Sequence, residues 1–420
     1  MRGTVAPPEP VRQPARTLYS VQGSRQTTTR PARRSAVLAV VLSLSTGVAA
    51  TLVGCSSAPP TSSQPAPTGP APSATASRTT PATVAPSTSA SAGATGGTPA
   101  RMGTPAVLAS RLEVPWGMAF LPDGSALVAE RPTGRVLRIA AAGGAPVRVG
   151  TVPGVQANGE GGLLGLAIAP KDPGTVFAYL TSTEGDNRVL KMPLTGGRLG
   201  APTVVLSGIP AASTHDGGRI AVGPDGKLWI GTGDAQDRTA SQDRANLAGK
   251  ILRIGTDGSV PADNPFPGSP VWSYGHRNVQ GLAFDSTGQL WATEFGQNTW
   301  DELNRVVKGG NHGWPEVEGR EGRAGFVDPQ VVWSPADASP SGLAIVDDVA
   351  YVASLRGRRL WQVPLTGTRA GTPVAALQGA YGRLRTVEPA PDGALWLSTS
   401  NSDRESAAPD DDRIVRVPLG

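Results

Sequence analysis

The chain runs to 420 residues with a formal net charge of +5, but the excess does not lie where a nucleic-acid surface would need it. Residues 1–105 hold nine arginines and one acid, a balance of +8, which leaves −3 for everything after them and removes the electrostatic case for a nucleic-acid partner. A single cysteine, Cys55, excludes an internal disulfide, so the folded part must be stable on packing alone.

Seven of the arginines fall within residues 1–34, and an apolar run over 36–54 follows, ending Leu52-Val53-Gly54-Cys55. A basic stretch, an apolar stretch and small residues before a cleavage point describe a secretory signal, and Cys55 sits where a lipoprotein carries its lipid. A membrane-spanning anchor is the other reading, because the run is just long enough to cross a bilayer. The segment that follows is rich in Ser, Thr, Pro, Ala and Gly, too poor in large apolar side chains to offset the entropy of ordering. The expected organisation is a lipoprotein signal peptide over 1–54, a lipidated cysteine and disordered linker over 55–105, and one folded domain over 106–420. Such a chain is exported and held outside the cell membrane by its lipid.

From residue 106 the pattern changes to short apolar-alternating runs separated by tight turns. Six segments share it: 120–130, 167–177, 222–231, 284–293, 345–353 and 391–398. Each reads as strand, turn, strand, with Gly or Asp supplying the positive φ. Recurrence every 45 to 62 residues is the period of four-stranded propeller blades, and about 315 residues suit six of them. A β-sandwich is the rival, but sandwiches do not repeat one hairpin six times. The predicted fold class is all-β, a six-bladed β-propeller, with ligands bound where loops converge at one mouth of the channel.

The irregular loops hold the chemistry. His215, followed by Asp216 and two glycines, is a candidate general base, since imidazole titrates near neutral pH; alone, it also reads as a loop histidine that merely packs. Arg277, Asn278 and Gln280 could grip a planar, oxygen-rich anion or form a structural turn. Glu294, Asp301 and Glu302, with the glycine-flanked carbonyls of 296–297 and 309–313, fit an oxygen-only cation site, hence calcium, or simply cap turns. No His/Cys spacing for a transition metal is present. Arg356, and Arg383 with Arg385 on one face of a strand, would find a partner in a polycarboxylate at the mouth, or stay solvated.

Taken together and in this order, these residues resemble the soluble glucose and aldose sugar dehydrogenases that depend on pyrroloquinoline quinone (PQQ). The likeness runs from Val114 to about Thr399 and is most specific at 159–165, 215–219, 249–254, 257–265, 275–284 and 309–315. It implies a six-bladed propeller, PQQ and calcium (Ca2+) as cofactors, and an aldose as substrate. His215 falls on the family's general base, and Arg277 on the residue beside the quinone oxygens. Asn278 and Gln280 line the same pocket, and Arg383 and Arg385 match the pair that holds the cofactor's carboxylates. The carbonyls of Gly296 and Gln297 match those on the calcium that polarises the quinone; Glu302 and the carbonyl of His312 match a second, structural calcium site.

Four positions depart from the family pattern. Glu160 stands for a glutamine that touches the cofactor, and Arg356 for a lysine. Gln297 replaces a proline, and Thr214 replaces an acid beside the base, so His215 is expected to be held differently or less firmly. The implied function is oxidation of aldose sugars at the anomeric carbon, with electrons passed to a quinone or a redox protein, because the chain has no haem motif. A non-catalytic propeller that binds a glycan or a protein is the alternative. A propeller hydrolase such as a lactonase would need a calcium-activated water and no arginine pair. Fold alone does not choose among these readings.

Overall fold

The computed structural model describes residues 96–404 and 407–420; the expected signal peptide, Cys55 and the linker as far as residue 95 lie outside them. Six antiparallel sheets follow one another along the chain, each of four strands, two of them with a further two-residue strand. The first strands of the sheets are Pro115–Phe120, Leu163–Ala169, Ile220–Val222, Val279–Phe284, Pro340–Val346 and Leu384–Pro389. Each touches the first strand of the next sheet, and the last returns to the first, closing a ring. The expected six-bladed propeller is therefore the fold. Among the described residues the only helical element is a single 3-10 turn, Arg238–Ser241.

Every one of the six sequence segments spans the turn between a blade's first and second strands. The turns work as their residues require: Gly226 and Gly393 sit at φ 72° and 79°, a region costly for any residue with a Cβ. In blade four the Asp285 carboxylate accepts the N–H groups of Thr287 and Gln289 and the Trp291 indole N–H at 2.9 Å, pinning the turn to the core. Second strands such as Leu290–Glu294 and Leu395–Thr399 are buried throughout, because neighbouring blades cover both faces. Trp116, Trp291 and Trp396 are among the largest fully buried side chains.

Two features place the site. In five innermost strands the pairing register slips near the start, between Pro115 and Met118, Leu163 and Leu166, Val279 and Gly281, Pro340 and Leu343, and Leu384 and Thr386. Such bulges re-aim the bracketed side chains, here Trp116, Gln280, Ser341 and Arg385. The ring is also closed by both ends of the folded part. Ala106–Ala109 forms the outer strand of blade six on Ile414–Val417, with Ala106 opposite Arg416. Residues before it reach two blades: Met102 bridges Leu419 beside blade six, and the Gly97 N–H meets the carbonyl of Leu365 in blade five at 3.1 Å.

Candidate active site

Two sets of loops meet at one mouth of the channel: those entering each first strand and those leaving each second strand. His215 lies in the loop that enters blade three, with φ at +65°, a left-handed conformation that costs a non-glycine residue about 1–3 kcal/mol. Its Nδ1 lies 2.7 Å from Oδ1 of Asp234, which is fully buried just beyond the second strand of the same blade. The Trp314 indole donates to the other Asp234 oxygen at 2.8 Å. Burial works to raise the Asp234 pKa, but the bonds from His215, the Gln236 N–H and Trp314 outweigh it and hold the carboxyl below its ordinary value. An ionised carboxylate can only accept, so Nδ1 carries a proton, and in the neutral ring the lone pair lies on Nε2. His215 is thus held by Asp234 of its own blade and not from position 214.

Beside this pair lies a cavity of about 250 Å³. Of the residues expected in the site, Glu160, Gln280, Arg356, Arg383 and Arg385 line it. His215, Arg277 and Asn278 are at its edge and not in its wall: the Asn278 Oδ1 accepts the N–H of Gly217, a wall residue, at 3.0 Å, and Arg277 NH1 donates to the carbonyl of Phe295, another, at 3.1 Å. Arg385 is buried, hydrogen-bonded to Gln280 at 3.1 Å, and its pKa falls to about 10, chiefly through burial. Three charged wall residues went unread in the sequence: Arg131, Asp403 and Arg404. Asp403 bridges Arg131 at 2.6 Å and Arg385 at 3.2 Å, and Arg131 also donates to the carbonyls of Gly159 and Gly161.

The charge of this wall suits a polyanion. Five arginines (131, 356, 383, 385 and 404) face three acids (Glu160, Asp216 and Asp403). The buried Nε atoms of Arg131, Arg277 and Arg385 find no protein acceptor. Buried donors without acceptors are costly, and the carboxylates and quinone oxygens of PQQ are acceptors of the matching kind.

The calcium candidates cluster on the other side of Arg277. The Glu318 carboxylate accepts the N–H groups of Gln297, Asn298, Thr299 and Trp300, and Asp301 accepts that of Gly296. With the amides so engaged, the carbonyls of Gly296 and Gln297 remain as donors to a hard cation. A Cβ on Gly296 would fall 1.6 Å from the Trp300 carbonyl, so the turn needs glycine. Glu302 is buried opposite Glu294, with Asn304 donating to both, at 2.9 and 2.7 Å. Burial, then mutual repulsion, pushes the Glu302 carboxyl upward; burial likewise raises Glu294. The His312 ring is buried and stacked on His276, 4.5 Å between centroids. Among the described residues no group of three or more His, Cys, Asp or Glu side chains is arranged around a metal position.

Comparison with known proteins agrees with the fold. The sequence model of a family described as glucose/sorbosone dehydrogenase matches residues 112–407. The PQQ-bound aldose sugar dehydrogenase of Streptomyces coelicolor is 50% identical, with a TM-score of 0.74 over 77% of this chain and 99% of that one. Aldose sugar dehydrogenase of Escherichia coli is 30% identical over 71% of this chain and 90% of its own length. Quinoprotein glucose dehydrogenase B of Acinetobacter calcoaceticus is 34% identical over 52% of this chain, and the match spans only about half (54%) of that relative.

Proposed function

The chain belongs to the glucose/sorbosone dehydrogenase family, and from that premise we propose that it is a quinoprotein dehydrogenase that oxidises aldose sugars at the anomeric carbon, using PQQ and calcium. The observation that carries the reading is the chain from Trp314 through Asp234 to His215, ending beside an arginine-lined cavity. PQQ, when bound, supplies the acceptor for the two electrons and the hydrogen leaving the sugar carbon. The protein supplies the rest. Nε2 of His215 takes the proton of the anomeric hydroxyl, and Asp234 stabilises the imidazolium that forms. Arg383, Arg385 and Arg356 would hold the cofactor's carboxylates, Gln280 and Asn278 fix the wall, and the partly buried guanidinium of Arg277 would offer charge to its quinone oxygens. Calcium on the carbonyls of Gly296 and Gln297 would act as a Lewis acid at the quinone, and a second ion near Glu302 and the His312 carbonyl would be structural. Electrons leave to an external quinone or redox protein. The basic, apolar and small-residue order ahead of Cys55 supports export and a lipid anchor in the membrane.

Reconstitution tests this directly. The purified protein loaded with PQQ and calcium should reduce a dye on addition of aldose, lose activity on exhaustive chelation, and regain it with calcium and PQQ. Cofactor bound but reduced by no aldose would leave the reading of a non-catalytic, glycan- or protein-binding propeller standing. Full activity after chelation would remove the metal from the mechanism.

A further inference from the structure

Glu160, expected beside the cofactor, has both carboxylate oxygens engaged elsewhere. One accepts the backbone N–H of His215 at 3.0 Å, and the other faces Arg404 at 3.3 Å. The Glu160 N–H in turn reaches the Ser213 carbonyl at 2.9 Å, so the residue grips the loop on both sides of Thr214. The two backbones lie close: a Cβ on the preceding Gly159 would fall 1.9 Å from the Ser213 carbonyl. His215 sits at the left-handed φ noted above, and the N–H of that strained residue is the one that Glu160 accepts. The glutamate is itself held, because Arg131 donates to the carbonyls of Gly159 and Gly161 on either side. Arg404 follows Asp403, which bridges Arg131 and Arg385. Adjacent residues of the last blade's loop thus neutralise the cofactor-side arginines and Glu160.

We propose that Glu160 is a positioning residue: its carboxylate fixes the left-handed backbone that aims His215, and Arg404 balances its charge. The inference rests on His215 being the base, and it takes Glu160 out of the set of direct cofactor ligands. It explains why an acid is tolerated close to an anionic cofactor, where a like charge would otherwise repel. A carboxylate is also the stronger acceptor for the His215 N–H, since hydrogen bonds to charged groups exceed neutral ones.

Backbone amide exchange at His215 in the cofactor-free protein is the primary measurement, and PQQ affinity by fluorescence titration and sugar kinetics are the second and third. Glu160→Ala should speed exchange at His215 by about tenfold or more, the scale of losing a charged hydrogen bond. It should lower kcat by a similar factor while KM and the Kd for PQQ move by less than about threefold. Glu160→Gln, which keeps an acceptor oxygen, should restore most of the protection and part of kcat. Arg404→Ala should fall between wild type and Glu160→Ala, because Arg404 is exposed and its ion pair with Glu160 is screened by solvent. Unchanged His215 exchange in Glu160→Ala overturns the proposal, as does a loss of PQQ affinity with kcat intact at saturating cofactor. A wild-type protein that oxidises no aldose would defeat the function proposed above, yet the exchange measurement would still decide whether Glu160 sets the His215 backbone.

Discussion

Asp234 does for His215 what the sequence left unassigned, and two substitutions separate the presence of the base from its orientation. His215→Gln removes the lone pair, and sugar oxidation should fall by about 10²–10⁴-fold with PQQ still bound. Asp234→Asn keeps the shape but can offer an N–H to Nδ1, which moves the ring proton to Nε2; a loss of the same order, about 10²–10⁴-fold, should follow. Single-turnover reduction of the loaded protein checks both, and near wild-type rates in His215→Gln would end this account of the base. His215, Gln280, Arg356, Arg383 and Arg385 were legible because they stand in glycine-rich or basic stretches, Gln280 and Arg385 just inside a first strand, whose residue types announce anion binding. Asp234, Arg131 and Asp403 were not, since each reads as an ordinary polar residue just after a hairpin. The signal was nonetheless there in the repeat. Arg131 follows Ala126–Glu130, Asp234 follows Leu228–Gly231, and Asp403 follows Leu395–Thr399, so all three occupy the loop leaving a second strand.

At the scale of elements, the innermost strands carry a titratable pair as well as the site. Arg219, entering blade three, donates to the Gln280 carbonyl at 2.8 Å, lies over the Trp116 ring, and sits 3.9 Å from Glu388 near the end of the last blade's first strand. Burial pushes the Glu388 carboxyl up to about 7, with Arg219 pulling the other way. The folded chain therefore binds this proton more tightly than the unfolded chain, where the value is near 4.5. The stability this contributes is complete below about pH 4.5 and is lost as pH rises through 7, a swing of about 3 kcal/mol at most. Glu388→Gln should thus leave a melting temperature that, relative to wild type, improves steadily from pH 4.5 to 8; parallel curves would show that the carboxyl titrates normally. The hairpins on these strands were readable because alternation and turn residues are local. The register slips that turn Trp116, Gln280, Ser341 and Arg385 toward the channel were not, because a bulge is set by the partner strand and leaves little mark in its own sequence.

For the whole molecule, the composition ahead of the propeller predicts how it is held. Cys55→Ala should shift the protein from the membrane fraction to the medium or leave it unprocessed, as fractionation and intact mass would reveal; an unchanged fraction and mass would refute lipidation. The propeller's own closure bears on a different quantity, time. Ala106 pairs with Arg416, a partner 310 positions later in the chain. At about 5–20 residues per second, synthesis of the intervening chain takes roughly 15 to 60 s. Throughout that interval the strand Ala106–Ala109 has no mate, and blades one to five can assemble while the sixth stays open. Contacts so distant along the chain are slow to form, because loop closure must be met before pairing rewards it. A newly made molecule therefore passes through an arc with two unpaired edges, and such edges invite pairing between copies. Joining Gly420 to Arg101, already 2.9 Å apart from nitrogen to oxygen, and opening the chain between two earlier blades would make that joint local and shorten the vulnerable interval.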